Sequence, residues 1–152
     1  HQMSVDMVNE MGGSATPMAY SELYTALQQG VVDGAENNPP SFVTSGHYEV
    51  CKFYTLDEHS SIPDVLVMGT KYWDTLEAQE QEWLRAAAKV SATAQKQFWE
   101  DNVAECMAKL KAENVEIIRP EKSLFANKTQ AVLEEFSKDP RMRKLVEEIQ
   151  AQ

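Results

Sequence analysis

An α/β fold is what this sequence predicts, on three observations. Short β-branched and apolar runs alternate with stretches of helical periodicity. Residues 70–119 contain neither Gly nor Pro, and from 77 to 113 they are rich in Ala, Gln, Glu and Lys, which calls for one long helix. Hydrophobic residues make up 43% of the 152 and charged residues 25%, so a core can form and the signature of a disordered chain is absent.

The elements follow in order. Met3, Met7, Val8 and Met11 fall at helical spacing and predict a first helix that stops at Gly12-Gly13. Residues 15–18 read as a short extended piece, with Pro17 suited to an edge or a strand end. Ser21 is placed to cap a helix over 22–29 whose stripe is Leu23, Ala26 and Leu27, and Gly30 closes it. Val31-Val32 opens as a buried strand and gives way to the polar, turn-rich run 33–40; polar side chains at a strand mouth are where ligand sites are often built. Residues 41–50 predict a short helix with Pro39 or Pro40 at its start. Strands are expected at 52–56 and 64–68 around the polar stretch 57–61.

The long helix over 77–113 would reach about 55 Å. Its apolar stripe passes from Trp83, Ala87, Val90, Ala94 and Phe98 to Trp99, Val103, Cys106, Met107 and Leu110, a face rotated by about a residue, so two surfaces are served. A strand at 115–118 ends at Pro120, and helices over 124–137 and 142–149 are split by Asp139-Pro140.

Charge narrows the partners. Lys plus Arg is 14 against 24 for Asp plus Glu, a formal net charge of -10, so nucleic acid and anionic membrane surfaces are repelled. The longest apolar runs, such as Val65-Leu66-Val67-Met68, are far shorter than the roughly 20 residues of a membrane-crossing helix. The chain opens without Met and runs straight into apolar residues at helical spacing, so an upstream segment is expected.

Several candidate chemistries are weak. Cys51 and Cys106 lie in no ligand spacing and read as small apolar residues before they read as a disulfide. His47, Cys51 and His59 lack a fourth ligand for zinc, so no metal or other cofactor is expected. Asp33 and Glu36 could form a carboxylate pair, with His59 beside them, in an enzyme acting on sugar acids; no nucleophile motif or nucleotide fingerprint accompanies them. Tyr72, Trp73, Trp83, Phe98 and Trp99 have the spacing of core residues rather than of a stacking platform. No catalytic residue is assigned.

The run Thr16-Pro17-Met18-Ala19-Tyr20-Ser21-Glu22-Leu23-Tyr24-Thr25-Ala26-Leu27-Gln28-Gln29-Gly30-Val31-Val32-Asp33-Gly34-Ala35-Glu36-Asn37 is different. It resembles the signature of the DctP-type solute-binding proteins of TRAP transporters, tripartite periplasmic uptake systems for organic acids. His47-Tyr48-Glu49-Val50, His59, Lys71-Tyr72-Trp73-Asp74-Thr75-Leu76 and the long helix extend the resemblance over essentially the whole chain. It implies a periplasmic, two-lobed flytrap fold of which this chain is the C-terminal half, with one lobe-spanning helix. Residues 1–62 and 103–152 would form the second lobe, and 63–102 would pack on the first, N-terminal lobe.

Residue by residue, the resemblance makes Asn37 the amide that bonds the ligand carboxylate and Tyr20 the ring against its carbon skeleton. Glu36 adjoins that Asn, in a structural or a ligand-facing role. Asn38 and Asp64 would read hydroxyls, and His59 joins them. The Gly34-Ala35-Glu36-Asn37-Asn38 and Glu58-His59-Ser60 stretches look like the hexuronate branch, with Pro39 where that branch commonly carries Trp. A sugar acid such as glucuronate or galacturonate is the leading ligand and a C4-dicarboxylate the runner-up, for delivery to the TRAP membrane subunits. The family's carboxylate-clamping Arg falls upstream of His1, so half a site is expected here. Without the first lobe, the face of Trp83, Val90 and Phe98 would be uncovered, favouring a homodimer or a rearranged helix.

Overall fold

The computed structural model describes residues 2–151; His1 and Gln152, which the expected lobe boundaries include, lie outside the described residues. Two compact units form, one of His1–Ala35, Phe53–Ser60 and Ile117–Gln152, the other of Glu36–Lys52 and Ser61–Glu116.

In the first unit, α1 (Gln2–Glu10) packs against α8 (Gln130–Phe136). Its end is set by Gly12 at φ +97°: Gly13 N–H donates to Val8 O and Gly12 N–H to Asn9 O, both at 3.0 Å, so two otherwise orphaned carbonyls are satisfied. α2 (Leu23–Gln28) ends the same way, with Gly30 left-handed and Val31 N–H reaching Ala26 O at 2.8 Å. Ser21 does not cap it; a 3-10 turn over Tyr20–Glu22 leads in without a side-chain cap. β1 (Phe53–Thr55) pairs with β2 (Glu116–Ile118). Glu116 N–H donates to Lys52 O and Leu56 N–H to Ile118 O, so residue numbers rise together and the pair is parallel. Parallel strands need a long crossover, which the intervening helices supply. α7 (Lys122–Lys128) packs on α8, and α9 (Pro140–Gln150) starts with Pro140 in its first turn and Asp139 accepting Arg141 N–H at 2.8 Å.

In the second unit, α3 (Pro39–Thr44) packs on α4 (His47–Val50) and on α6 (Ala78–Ala112), with α5 (Thr70–Trp73) between them in sequence. The 35 residues of α6 span about 52 Å. Its start is a capping box, Glu77 and Glu80 each accepting the other's backbone N–H, and its end has Asn114 at φ +57° with Val115 N–H on Leu110 O. Pro40, Phe42, His47, Cys106, Leu110 and Val115 are buried, Leu110 completely.

Several expectations change. Residues 31–33 form a bend with Val31 66% exposed, and 64–68 is irregular with Val65, Leu66 and Val67 exposed, so neither is a strand. β-branched residues become strand only beside a partner strand, and the two strands here pair with each other. Residues 15–18 likewise take no strand pairing. The helix expected over 41–50 divides at Gly46, φ +69°, and that over 124–137 divides at Thr129, whose hydroxyl donates to Phe125 O at 3.3 Å. Tyr72, Trp83, Phe98 and Trp99 are exposed rather than packed in a core, and Trp73 is half-buried under Arg85, whose guanidinium lies 4.6 Å from the ring centre. Both cysteines are free thiols, Cys106 buried and Cys51 half-buried.

Burial pushes the His47 imidazole below its ordinary value of 6.5. In acid the unfolded chain therefore takes up a proton that the folded chain resists. The associated stability is fully present above pH 6.5 and is lost as the pH falls below it, toward the folded value. Thermal melts between pH 8 and 5 are expected to show a flatter acid slope for His47→Gln than for the parent chain; equal slopes would contradict this.

Candidate functional site

The polar run entering α3 is built by local rules. Asn38 precedes two prolines, an arrangement suited to a helix start, and its Oδ1 accepts Ser41 N–H at 2.9 Å. The side chain expected to read ligand hydroxyls thus also caps α3. Asn38→Ala is expected to destabilise the chain by about 1 kcal/mol, with Asn38→Ser close to the parent. Chemical denaturation checks this, and equal losses for Ala and Ser would argue against a capping role.

Asn37 is half-buried, and its Oδ1 accepts the backbone N–H of Asn38 at 2.9 Å. Because a backbone N–H can only donate, this bond fixes which end of the amide is oxygen. The Nδ2 amine is then the end with two donors suited to an anion. Glu36 is exposed on the same short segment, and Asp64 is exposed on the irregular stretch of the same unit. Glu36, Asn37 and Asn38 thus come together on one segment.

Tyr20 and His59 belong to the other unit. Tyr20 is exposed and opens the 3-10 turn before α2. His59 follows β1 in an irregular stretch. Its Nδ1 lies 3.0 Å from Asp57 Oδ1, with side-chain exposures of 15% and 21%. Between them Glu58 sits at φ +52°, a left-handed conformation costing roughly 1–2 kcal/mol for a residue with a Cβ, and its carboxylate pairs with Lys122. Asp57 is the residue that sequence reasoning missed; the available signal was an acid two positions before a His in a turn-rich stretch.

The Tyr48 of the His47-Tyr48-Glu49-Val50 stretch has a structural place, its ring 4.9 Å from Lys109 Nζ of α6. Among the described residues, no group of three or more His, Cys, Asp or Glu is arranged to hold a metal ion, and no helix is long and apolar enough to cross a membrane.

Residues 1–139 match DctP, bacterial extracellular solute-binding protein family 7. The chain belongs to this family. A solute-binding protein of Chromohalobacter salexigens is 40% identical over 152 residues, 99% of this chain and 45% of its own. A TRAP periplasmic solute-binding protein structure from that species, with bound D-glucuronate, matches with TM-score 0.93 and 39% identity over 99% of this chain and 51% of its own. One from Sulfitobacter, with bound β-D-galacturonate, gives TM-score 0.88 and 39% identity over 96% of this chain and 49% of its own. The chain spans about half the length of these relatives. The family and these neighbours are solute-binding proteins rather than enzymes, and the mixed helix and sheet with the long α6 fits one lobe of their fold.

Proposed function

We propose that this DctP-family chain is part of the solute-binding component of a TRAP transporter, capturing a sugar acid of the glucuronate or galacturonate type in the periplasm for delivery to membrane subunits, with no chemistry done on the ligand. The observation that carries the ligand class is that neighbours with 39% identity over nearly the whole chain hold uronates. Asn37 supports it as the carboxylate donor, its amide already oriented by Asn38 N–H. Tyr20 would lie against the carbon skeleton, and Glu36, Asn38, Asp64 and His59 would complete the polar contacts.

The division of the chain is part of the reading. Residues 1–62 and 103–152 would make the second lobe, and 63–102 would pack on a preceding first lobe that supplies an Arg clamp. The state of α6 supports this: Trp83, Val90 and Phe98 are 65%, 70% and 66% exposed, while Cys106 and Leu110 further along are buried. Exposed apolar surface costs about 25 cal/mol per Å² relative to burial. In isolation the 152-residue chain is therefore expected to dimerise or to rearrange α6. Small-angle scattering that showed a compact monomer at high concentration would count against it.

The functional test is calorimetry. The 152-residue chain by itself should show no micromolar affinity for glucuronate, because a bidentate Arg to carboxylate pair is the strongest contact such a site has. A chain carrying both lobes should bind it and leave it chemically unchanged. Preference for succinate over uronates would shift the assignment to a C4-dicarboxylate, and turnover of uronate would overturn the binding-protein reading.

A further inference from the structure

We propose that α9 is a self-complementary docking helix through which two copies of this protein pair antiparallel, whatever ligand the protein carries. Met142, Leu145, Val146 and Ile149 fall at i, i+3, i+4 and i+7 and form one apolar stripe, of which Met142, Leu145 and Ile149 are exposed and Val146 is half-buried. The sequence along this helix mirrors itself with its charges inverted. About the bond between Leu145 and Val146, Met142 matches Ile149, Arg143 matches Glu148 and Lys144 matches Glu147. Bases therefore fill the N-terminal half of the helix and acids the C-terminal half, with no acid in the first turn and no base in the last. That order opposes the helix dipole, so it does not serve the helix alone.

A second copy running the opposite way satisfies it. A twofold axis through the middle of the stripe lays Met142 against the partner's Ile149 and Leu145 against the partner's Val146, an isologous contact. Helical spacing puts Arg143 and Glu147 on one flank of the stripe and Lys144 and Glu148 on the other. In an antiparallel pair the same flank of each copy meets, so Arg143 faces the partner's Glu147 and Lys144 the partner's Glu148; a parallel pair would oppose like charges. Within one chain Lys144 and Glu148 lie 3.7 Å apart with both side chains mostly exposed, a contact too weak to withhold them from a partner. The 11 residues of α9 span about 16 Å. The contact is therefore smaller than a standard interface of about 1,600 Å², and the dissociation constant is expected to be weaker than about 1 µM.

Sedimentation equilibrium on a chain carrying both lobes, where the exposed face of α6 is expected to be covered, tests this. The parent is expected to show a monomer–dimer equilibrium that weakens as salt is raised. Arg143→Glu with Lys144→Glu makes the helix acidic throughout, and Glu147→Lys with Glu148→Lys makes it basic throughout; each double variant alone is expected to dimerise at least about tenfold more weakly than the parent. Mixed in equal amounts, the two are expected to form a heterodimer at least as tight as the parent dimer, and all four substitutions in one chain, which exchange the two halves, to restore self-association. A misfolded variant would not be rescued by mixing, so the rescue isolates the charge pairing. A parent that stays monomeric to about 1 mM, a double variant that dimerises as the parent does, or a mixture that fails to associate would each overturn the inference. In the first case, slow amide exchange along α9 would assign its apolar face to the preceding half of the same chain. Glucuronate calorimetry on the same samples reads the uronate proposal separately.

Discussion

Replacing Asn37 with Asp is expected to lower glucuronate affinity by about 100-fold or more while leaving the melting temperature close to that of the parent. The two effects separate because the side chain has two ends. Its Oδ1 accepts Asn38 N–H at 2.9 Å, and Asp retains an oxygen there, so the entry to α3 is preserved. The other end changes from an amine with two donors to an anionic oxygen. Against a ligand carboxylate, that exchanges a charge-assisted hydrogen bond worth about 1.5–3 kcal/mol for like-charge repulsion, and each 1.4 kcal/mol is tenfold in affinity. Asn37→Ala should cost less ligand affinity, about 10- to 100-fold, and more stability, because it loses the turn bond as well. Calorimetry with glucuronate on a chain carrying both lobes, paired with thermal melts, reads both quantities. Binding by Asn37→Asp within threefold of the parent would remove Asn37 from the carboxylate site.

The largest stability effect is expected at Leu110. It is the one large side chain with no solvent exposure among the described residues, on the stretch of α6 that also buries Cys106, and its backbone carbonyl receives Val115 N–H where the helix ends. Truncation to Ala removes packed methyl groups and leaves a cavity, at a cost of about 2–5 kcal/mol. For a chain of this size each kcal/mol is about 2–4 °C in Tm, so a fall of about 10 °C is expected. Leu110→Met, which keeps the volume, should cost under about 1.5 kcal/mol. A Leu110→Ala melt within 2 °C of the parent would show that this core carries little of the fold. By contrast, Val90→Ala on the exposed part of the same helix should leave stability almost unchanged, since little apolar surface is covered there.

Helix ends were legible because their causes lie within five residues. Gly12 and Gly30 supply the left-handed φ that a helix stop needs, Asp139-Pro140 supplies a cap and a compatible first residue, and the Ala-, Gln-, Glu- and Lys-rich stretch 77–113 matches α6 to within a residue at each end. The functional class was legible for a different reason: a run of some twenty residues around Asn37 is specific enough to mark the family, which the match over residues 1–139 confirms. Local rules also contained the N-cap role of Asn38, ahead of two prolines, although the ligand reading overshadowed it.

Tertiary structure decided what depends on distant partners. Val31-Val32 and residues 64–68 carry strand-forming side chains, yet a strand exists only where a second backbone lies alongside, and among the described residues only 53–55 and 116–118 found each other. Apolar spacing on α6 likewise showed which residues share a stripe but not which part of the stripe this chain would cover, because burial is a property of neighbours far away in sequence. Between Asp57 and His59, Glu58 takes a left-handed φ and its carboxylate pairs with Lys122, 64 positions further on, a remote partner that the local spacing of an acid and a His does not reveal.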